Sequence, residues 1–321
     1  MKKFKVGIIG MGGMGRQMMA SMAKHHRFCV VSGWDPAKES CSTAKILQSD
    51  MSIADSPEAV VADGKVDLIY IASPPKTHRP YIIETLSEKK PIYCEKPLGV
   101  DIAESRDLVK QVADSGLPNI INFNHAGALS ATIVKAQYDA GQLGRAAGIS
   151  MNLHVPQWPR AFQTAAGWLK GREQGGYCRE VFSHWIYLTR MILGDGILKR
   201  ANAHYPPDGT SCETFVQAEL DFGGVPVSLS GITGGVGPVG VEYTLWGEKK
   251  SFRLTSGGGF ISATGDGWKN EPIPKQETNR KDDQRVLDAV ARVLEGEKNA
   301  MPDMRDGLVV QEIVEGILFR Q

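Results

Sequence analysis

Gly10-Met11-Gly12-Gly13-Met14-Gly15 follows directly on the apolar run Val6-Gly7-Ile8-Ile9 and opens a stretch with a helical pattern, Met14 to Lys24. This spacing is typical of a loop that binds the diphosphate of a dinucleotide. The first glycine permits a tight strand-to-helix turn, the next lets the backbone approach a pyrophosphate, and the last allows close packing of helix and strand. The phosphates then lie at the helix N-terminus, where free N–H groups and the helix dipole favour negative charge.

An acidic residue stands where such a fold uses one. The apolar run Cys29 to Trp34 ends at Asp35, 20 residues beyond Gly15. A carboxylate at this position binds the adenine-ribose hydroxyls and repels a 2'-phosphate, which predicts NAD as the cofactor in preference to NADP. The alternative is a flexible loop, with Asp35 acting only as the cap of the next helix.

Length and composition limit the classes of protein to consider. A chain of 321 residues suits two domains, and we place them at residues 1–122 and 123–321. With 37 basic and 36 acidic residues and a net charge of +1, nothing indicates nucleic acid or an anionic membrane as a partner. A small-molecule substrate is the expected partner.

Cysteine usage and the start of the chain bear on location. The five cysteines are odd in number and show no C-x-x-C spacing, which argues against a disulfide framework and a zinc site. No apolar run approaches the ~20 residues that a bilayer needs. Because a core strand begins within the first ten residues, we expect no cleavable signal and a cytoplasmic location.

Short apolar runs alternate with helical patterns in the first part of the chain. Such alternation predicts right-handed crossovers and a doubly wound parallel sheet, an N-terminal Rossmann domain. Asp101, Glu104 three residues on, and Gly116 mark both ends of one intervening helix. The predicted strands are Phe4 to Ile9, Cys29 to Trp34, Val66 to Ala72, Pro91 to Cys94 and Asn119 to Phe123.

The pattern changes after about residue 123. Apolar and polar residues alternate from Val216 to Phe222 and again from Val225 to Leu229, which predicts an antiparallel hairpin with one solvated face. Val241 to Trp246 and Ser251 to Leu254 extend it. We expect a C-terminal α+β domain with a large open, mainly antiparallel sheet, and a homo-oligomer, dimer or tetramer, formed through that sheet.

Two further patterns complete the second half. Apolar stripes at helical spacing, at 287–294 and 310–317, predict two core helices near the end of the chain. The Gly-rich segments 231–240 and 256–267 are predicted loops.

Two predicted strand ends carry side chains suited to chemistry. Ser73-Pro74-Pro75-Lys76-Thr77-His78 follows the third strand, and Cys94-Glu95-Lys96-Pro97 ends the fourth. Ligands bind at this carboxyl edge of an open α/β sheet. A lysine there can act as a general acid or base, because a neighbouring cationic nicotinamide disfavours its protonated form. A single lysine is by default a solvated surface charge, so Lys96 depends on its context. We interpret Cys94 as a buried strand residue.

Together, the glycine loop, Asp35, the turn ending in His78, Glu95-Lys96-Pro97 and the alternating strands resemble the glucose-fructose oxidoreductase, inositol dehydrogenase and rhizopine-catabolism (Gfo/Idh/MocA) family. The resemblance covers nearly the whole chain. It implies a dinucleotide domain, an α/β domain, and oxidation or reduction of sugars, cyclitols and related compounds. The cofactor-binding residues that we expect are Gly10, Gly12, Gly13, Met14, Gly15, Asp35, Ser73, Pro74, His78, Glu95, Lys96 and Asn124.

The family's second catalytic motif runs Gly-Gly, a few residues, Asp, three residues, His. The corresponding stretch is Gly175-Gly176-Tyr177-Cys178-Arg179-Glu180-Val181-Phe182-Ser183-His184, with Glu180 in place of Asp. On a helix these two residues are i, i+4 neighbours, so Glu180 could orient His184 across one turn. The alternative is a structural histidine. Tyr187 stands where many members carry an Asp, and Asn122-Phe123-Asn124-His125 departs from the usual Gly-Phe-Asn-Arg.

The catalytic assignment is Lys96 as general acid or base, His184 as its partner or as the group that positions the reacting oxygen, and Glu180 as orienter. The activity implied is hydride transfer between nicotinamide C4 and a carbinol or carbonyl carbon. An NAD-dependent glycoside hydrolase that uses transient redox and a non-catalytic sensor of dinucleotide or sugar are the alternatives. The side chains considered as pocket lining are Trp158, Arg160, Trp168, Arg172 and Arg179.

Overall fold

The computed structural model describes residues 2–274, 277, 280–297 and 301–319. The chain forms two compact units, Met1–Gly127 with Lys281–Leu308, and Ala128–Arg280 with Val309–Gln321. The sequence places the boundary after residue 122 and assigns everything beyond it to one domain. The structure differs from this, because Lys281–Leu308 returns to the first unit.

The first unit contains a six-stranded sheet in which all neighbours are parallel. The strands are β1 (Phe4–Ile9), β2 (Phe28–Trp34), β3 (Ser52–Ile53), β4 (Leu68–Ile71), β5 (Ile92–Glu95) and β6 (Asn119–Asn122). Their order, β3-β2-β1-β4-β5-β6, confirms the Rossmann fold. The order reverses direction between β1 and β4, which opens a crevice at the carboxyl edge of the sheet.

Five helices follow these strands in the first part of the chain: α1 (Gly13–Ala23), α2 (Lys38–Leu47), α3 (Pro57–Ala62), α4 (His78–Ser87) and α5 (Ile102–Ser115). The predicted ends of α5 are confirmed. The Asp101 side chain accepts a hydrogen bond from the backbone N–H of Glu104 at 2.8 Å. Gly116 ends the helix at a φ of +66°, a conformation that suits glycine.

The second unit contains an eight-stranded sheet, with α6 (Leu129–Asp139) and α7 (Ser183–Leu193) among its helices. Every neighbouring pair is antiparallel except β7 with β10, which confirms the predicted open, mainly antiparallel sheet. The strands are β7 (Ala146–Val155), β8 (Ile197–His204), β9 (Phe215–Phe222), β10 (Val225–Thr233), β11 (Gly240–Gly247), β12 (Ser251–Thr255), β13 (Phe260–Ala263) and β14 (Lys269–Asn270), in the order β14-β13-β12-β11-β7-β10-β9-β8.

Two predicted loops in this unit are partly wrong. The segment 231–240 begins inside β10, which continues to Thr233. The segment 256–267 contains β13, whose Phe260 ring stacks on Phe252 with centroids 5.6 Å apart. The abundance of glycine hid both strands, because cross-strand pairing and aromatic packing override the weak strand preference of the neighbouring residues.

The segment that returns to the first unit begins with α8 (Asp282–Leu294). Its apolar stripe, which includes Leu287 and Val290, joins the core that β1, β2 and α1 form. The Ser21 hydroxyl also donates to Asp283 at 2.7 Å. The last helix, α9 (Met304–Phe319), contains the division between the units, which falls after Leu308.

In the part of the chain that the structure describes, the helices are all too short or too polar to cross a membrane.

Candidate active site and cofactor cradle

The glycine loop has the geometry that its sequence predicts. Gly10 adopts a φ of +95°, and a Cβ added there would lie 2.6 Å from the carbonyl carbon of Ala72. A Cβ on Gly15 would lie 2.1 Å from the carbonyl oxygen of Gly10. These two glycines are therefore required by contacts between β1, α1 and the end of β4, whatever binds at the loop.

Gly12 differs, because a Cβ there would meet no protein atom within 4 Å. It is the N-cap of α1, no side chain caps that helix, and the first turn carries no acidic residue. Glycine here keeps the approach to the backbone N–H groups open, which is what a pyrophosphate at a helix N-terminus needs. A Cβ added at Gly13 would meet nothing within 4 Å either, and Met14 beside it is 41% exposed. The loop therefore fits a dinucleotide.

Asp35 lies at the end of β2 and contacts the glycine loop directly. Its Oδ2 accepts a hydrogen bond from the backbone N–H of Met11 at 2.7 Å, and its Oδ1 accepts one from Ala37 at 2.8 Å. Each oxygen keeps a further lone pair for a hydroxyl donor. Asp35 therefore anchors the loop, and its role in binding a ribose stays a prediction.

The His78 side chain fixes the turn that begins at Ser73 after β4. This imidazole is completely buried, with Nε2 2.8 Å from the carbonyl oxygen of Ser73 and Nδ1 2.9 Å from that of Pro97. Burial lowers the pKa of His78, and the charge of Lys96 acts in the same direction. The ring therefore fixes this turn through backbone contacts, and the assignment of His78 to cofactor binding stays a prediction. Ser73 is half-buried and Pro74 exposed on that turn.

The Glu95-Lys96-Pro97 bend follows β5, and all three residues are buried. Lys96 is 8% exposed, so it is not a solvated surface lysine. Cys94 is fully buried, as expected. Burial raises the pKa of its thiol well above the ordinary value, and the negative charge of Glu95 raises this pKa further. A reactive thiolate is therefore disfavoured at this position.

These contacts bring most of the predicted cofactor residues to one edge of the first unit. Asp35 contacts the glycine loop, that loop packs on the start of the Ser73 turn, and His78 links this turn to Pro97 beside Lys96. Asn124 lies beyond β6 and is exposed. The connection between Ser73 and Pro97 through a buried histidine has no signal in the sequence, because both partners are backbone carbonyls.

The Gly-Gly motif of the second unit leads into a π-helical turn, Cys178–Phe182, before α7 begins. Glu180 lies in this turn and accepts a hydrogen bond from Gln163 Nε2 at 2.9 Å. Arg160 is 3.8 Å from the same oxygen and donates to Gln163 at 2.8 Å. His184, in the first turn of α7, is 8% exposed. The pairing of Glu180 with His184 stays a prediction, and the contact with Gln163 was missed.

Several residues considered as pocket lining have structural partners instead. Arg179 is 2% exposed and forms an ion pair with Glu315, so the structure does not support it as pocket lining. The Arg172 guanidinium lies 3.8 Å from the centre of the Tyr205 ring. Trp158 donates its indole N–H to the carbonyl of Leu169 at 2.9 Å.

Comparison with known proteins agrees with this geometry. Residues 4–123 match the profile of the oxidoreductase family with an NAD-binding Rossmann fold, GFO_IDH_MocA. Residues 4–123 are therefore similar to the NAD-binding Rossmann domain of the Gfo/Idh/MocA oxidoreductases. The glycine loop, Asp35, the Ser73 turn and the Glu95-Lys96-Pro97 bend all lie within the matched segment.

Curated relatives align with part of the chain. Inositol 2-dehydrogenase 1 of Mycolicibacterium vanbaalenii is 30% identical over 203 residues, which are 62% of this chain and 55% of that enzyme. The inositol 2-dehydrogenase of Mycolicibacterium gilvum is 26% identical over 201 residues, 61% of this chain and 54% of that enzyme. The alignments thus span little more than half the length of these relatives.

The fold is also that of known structures over nearly the whole chain. The WlbA dehydrogenase of Bordetella pertussis, solved with NADH and UDP-GlcNAcA, superposes with a TM-score of 0.83 at 21% identity. The superposition covers 98% of this chain and 94% of that one. At this identity the likeness establishes the fold of the two units.

Proposed function

We propose that this protein is an NAD-dependent oxidoreductase that acts on a CH–OH group of a sugar, cyclitol or related polar small molecule. The observation that carries the proposal is the glycine loop, where Gly10 and Gly15 are fixed by packing while Gly12 leaves the helix N-terminus open. The family profile that residues 4–123 match supports the same activity, as do the inositol 2-dehydrogenases among the relatives.

NAD would be held by the glycine loop at its diphosphate and by Asp35 at its adenine ribose, and it supplies a hydride acceptor or donor at nicotinamide C4. Asp35 also disfavours NADP, because its carboxylate repels a 2'-phosphate. The Ser73 turn, which His78 fixes, borders the same carboxyl edge of the sheet.

Lys96 is proposed as the general acid or base. Oxidation of a carbinol requires that its oxygen lose a proton, and Lys96 Nζ would take that proton in one direction and return it in the other. Its burial supports this role, since a surface lysine exchanging protons freely with water gives less control over the reacting oxygen. His184 and Glu180 are proposed, on the sequence motif, to position that oxygen.

The test has a binding arm and a turnover arm. Calorimetry should detect uptake of NADH by the folded protein, and absorbance at 340 nm should change as NAD reacts across a panel of polyols, inositols, sugars and sugar acids. Lys96→Ala should lower turnover by about 10² or more while NADH still binds. Lys110→Ala, at an exposed position on α5, is the matched control.

Three outcomes would contradict the proposal. Absence of NAD and NADP binding would remove the cofactor, and full activity of Lys96→Ala would remove the lysine. Product formation with a flat 340 nm trace would indicate the hydrolase with transient redox, which the dehydrogenase relatives do not favour. Binding without hydride transfer on any compound of the panel would indicate a sensor.

We also propose a homo-oligomer formed through the open face of the eight-stranded sheet. Trp246 on β11 is 42% exposed, and Ile232 on β10 is 47% exposed. Large apolar side chains on a broad sheet face favour association with a second copy. Sedimentation velocity at micromolar concentration should give the mass of a dimer or tetramer, and a monomeric mass would contradict this.

A further inference from the structure

A buried polar cluster surrounds the side chain of Glu95, the first residue of the Glu95-Lys96-Pro97 bend, and Glu95 is its only member with a role in the assignments above. It consists of Tyr70 on β4, Tyr93 and Glu95 on β5, and Asn122 on β6. Tyr70 pairs with Tyr93 in the sheet register, and Glu95 pairs with Asn122. The two tyrosines are fully buried, and the other two side chains are 5% and 6% exposed. We call these four residues the tyrosine–glutamate cluster.

The hydrogen bonds of the tyrosine–glutamate cluster converge on one carboxylate oxygen. Glu95 Oε1 accepts from the Tyr70 hydroxyl and from Asn122 Nδ2, the latter at 2.6 Å. Tyr93 in turn donates its hydroxyl to Asn122 Oδ1 at 2.7 Å. This arrangement sets the orientation of the amide, because only its NH₂ group can donate to a carboxylate. Tyr93 therefore orients the Asn122 amide, and this amide together with Tyr70 orients Glu95.

The two hydroxyls remain donors throughout the range in which an enzyme works. Burial, and next the charge of Glu95, raise the pKa of both Tyr70 and Tyr93 well above the ordinary tyrosine value. The Glu95 carboxylate accepts one hydrogen bond from the Tyr70 hydroxyl and one from the Asn122 amide, and these two bonds hold it in one rotamer. Apolar side chains in these positions would fill the same core without fixing Glu95.

Lys96 is the next residue after Glu95, about 3.8 Å away between Cα atoms. It is the middle residue of the buried bend, so the backbone orientation at Glu95 sets the direction in which the chain continues to the lysine.

We propose that Tyr70, Tyr93 and Asn122 are positioning residues for Lys96, which act by holding the Glu95 carboxylate in place at the start of the bend. The inference rests on the proposed function for its catalytic meaning, since it assigns these residues to the lysine proposed as general acid or base. None of the three is proposed to touch the substrate or the cofactor.

The test reads Lys96 directly in the protein without cofactor or substrate. Lysines are labelled with carbon-13 at the ε position, and the NMR signal of Lys96 is assigned by its loss in Lys96→Arg. In Tyr70→Phe, the Lys96 signal should shift by more than its linewidth or split. Tyr93→Phe keeps both donors to Glu95 but removes the hydrogen bond that Asn122 Oδ1 accepts. In this variant the Lys96 signal should shift less, in the same direction.

Tyr243→Phe is the matched control. Tyr243 is also fully buried, and its hydroxyl accepts a hydrogen bond from Thr189 at 3.3 Å in the second unit. This variant removes a buried tyrosyl hydroxyl elsewhere and should leave the Lys96 signal unchanged. Once a substrate is known, Tyr70→Phe should lower kcat about tenfold while the Kd for NADH stays the same.

An unchanged Lys96 signal in folded Tyr70→Phe overturns the inference, as does an equal shift in Tyr243→Phe. If Tyr70→Phe does not fold, Tyr93→Phe decides, and an unmoved signal there overturns it. The resonance comparison uses no cofactor, so failure of hydride transfer in the unaltered protein would refute the proposed function and leave this result standing.

Discussion

Arg179 and Glu315 form a buried bidentate ion pair inside the second unit. Nε of Arg179 lies 2.6 Å from Oε1 of Glu315, and Nη2 lies 2.8 Å from Oε2. Nη1 of the same guanidinium donates to the carbonyls of Arg172 and Gly175 at 2.9 and 2.8 Å. The pair therefore connects α9 to the segment that precedes His184.

Removal of one partner from this pair should be strongly destabilising. Arg179→Met leaves the Glu315 carboxylate buried without its counter-charge, and we expect the free energy of unfolding to fall by about 3–5 kcal/mol. Urea unfolding followed by tryptophan fluorescence measures this, because five of the six tryptophans lie in the second unit.

Arg145→Met is the control for this measurement. Arg145 forms an exposed ion pair with Glu248 in the same unit, with side chains 80% and 47% exposed. Its loss should cost less than about 1 kcal/mol. Equal effects of the two substitutions would mean that the buried pair contributes nothing beyond an ordinary surface pair.

Glu213 should make the stability of the second unit depend on pH. Burial raises its pKa from 4.5 to about 7, although the Cys178 N–H donates to the carboxylate and lowers the value in part. The unfolded state releases this proton at lower pH than the folded state does. The contribution of Glu213 to the free energy of unfolding is therefore fully present below pH 4.5. It is lost as the pH rises towards 7, by about 3 kcal/mol in all.

Glu213→Gln keeps an oxygen that can accept the Cys178 N–H but cannot ionise. The difference in unfolding free energy between Glu213→Gln and the unaltered protein should grow from pH 4.5 to 7 and stay constant above that. Measurement of both proteins at each pH cancels the other titrating groups. Parallel stability curves would show that Glu213 titrates in its ordinary range.

Gly12→Ala should separate cofactor binding from folding. A Cβ at Gly12 meets no protein atom within 4 Å, so the melting temperature should change little. The methyl group would enter the approach to the helix N-terminus, and the Kd for NADH should rise at least about tenfold. Gly64→Ala has equally open surroundings in the same unit and should leave NADH binding unchanged. Unaltered binding in Gly12→Ala would exclude close approach of a diphosphate.

Asp35→Asn should shift the choice between the two nicotinamide cofactors. The substitution removes the negative charge that disfavours a 2'-phosphate, and we expect the ratio of Kd for NADPH to Kd for NADH to fall about tenfold. Fluorescence titration of both reduced cofactors gives the ratio. Asp114→Asn, at an exposed position on α5, should leave it unchanged. A constant ratio in Asp35→Asn would remove the carboxylate as the selector.

The sequence determined the features that depend on local pattern. Gly10 and Gly15 predict a tight turn and a close backbone approach that only glycine permits. Asp101 and Gly116 mark the two ends of α5. These features involve residues close together in the chain, so spacing alone is enough to recognise them. The parallel order of the first sheet follows from the same alternation of strands and helices.

Only the tertiary structure decided which distant side chains meet. Glu315 lies 136 residues from Arg179, and Asn122 lies 27 residues from Glu95, yet each pair is buried and hydrogen-bonded. No periodicity encodes such a partner, because the folded backbone brings the two positions together. The same applies to Lys281–Leu308. The sequence pattern predicts an apolar face on its helix but does not indicate which core that face joins. The sequence therefore specified the glycine loop, while tertiary packing specified the partners that hold the surrounding residues in place.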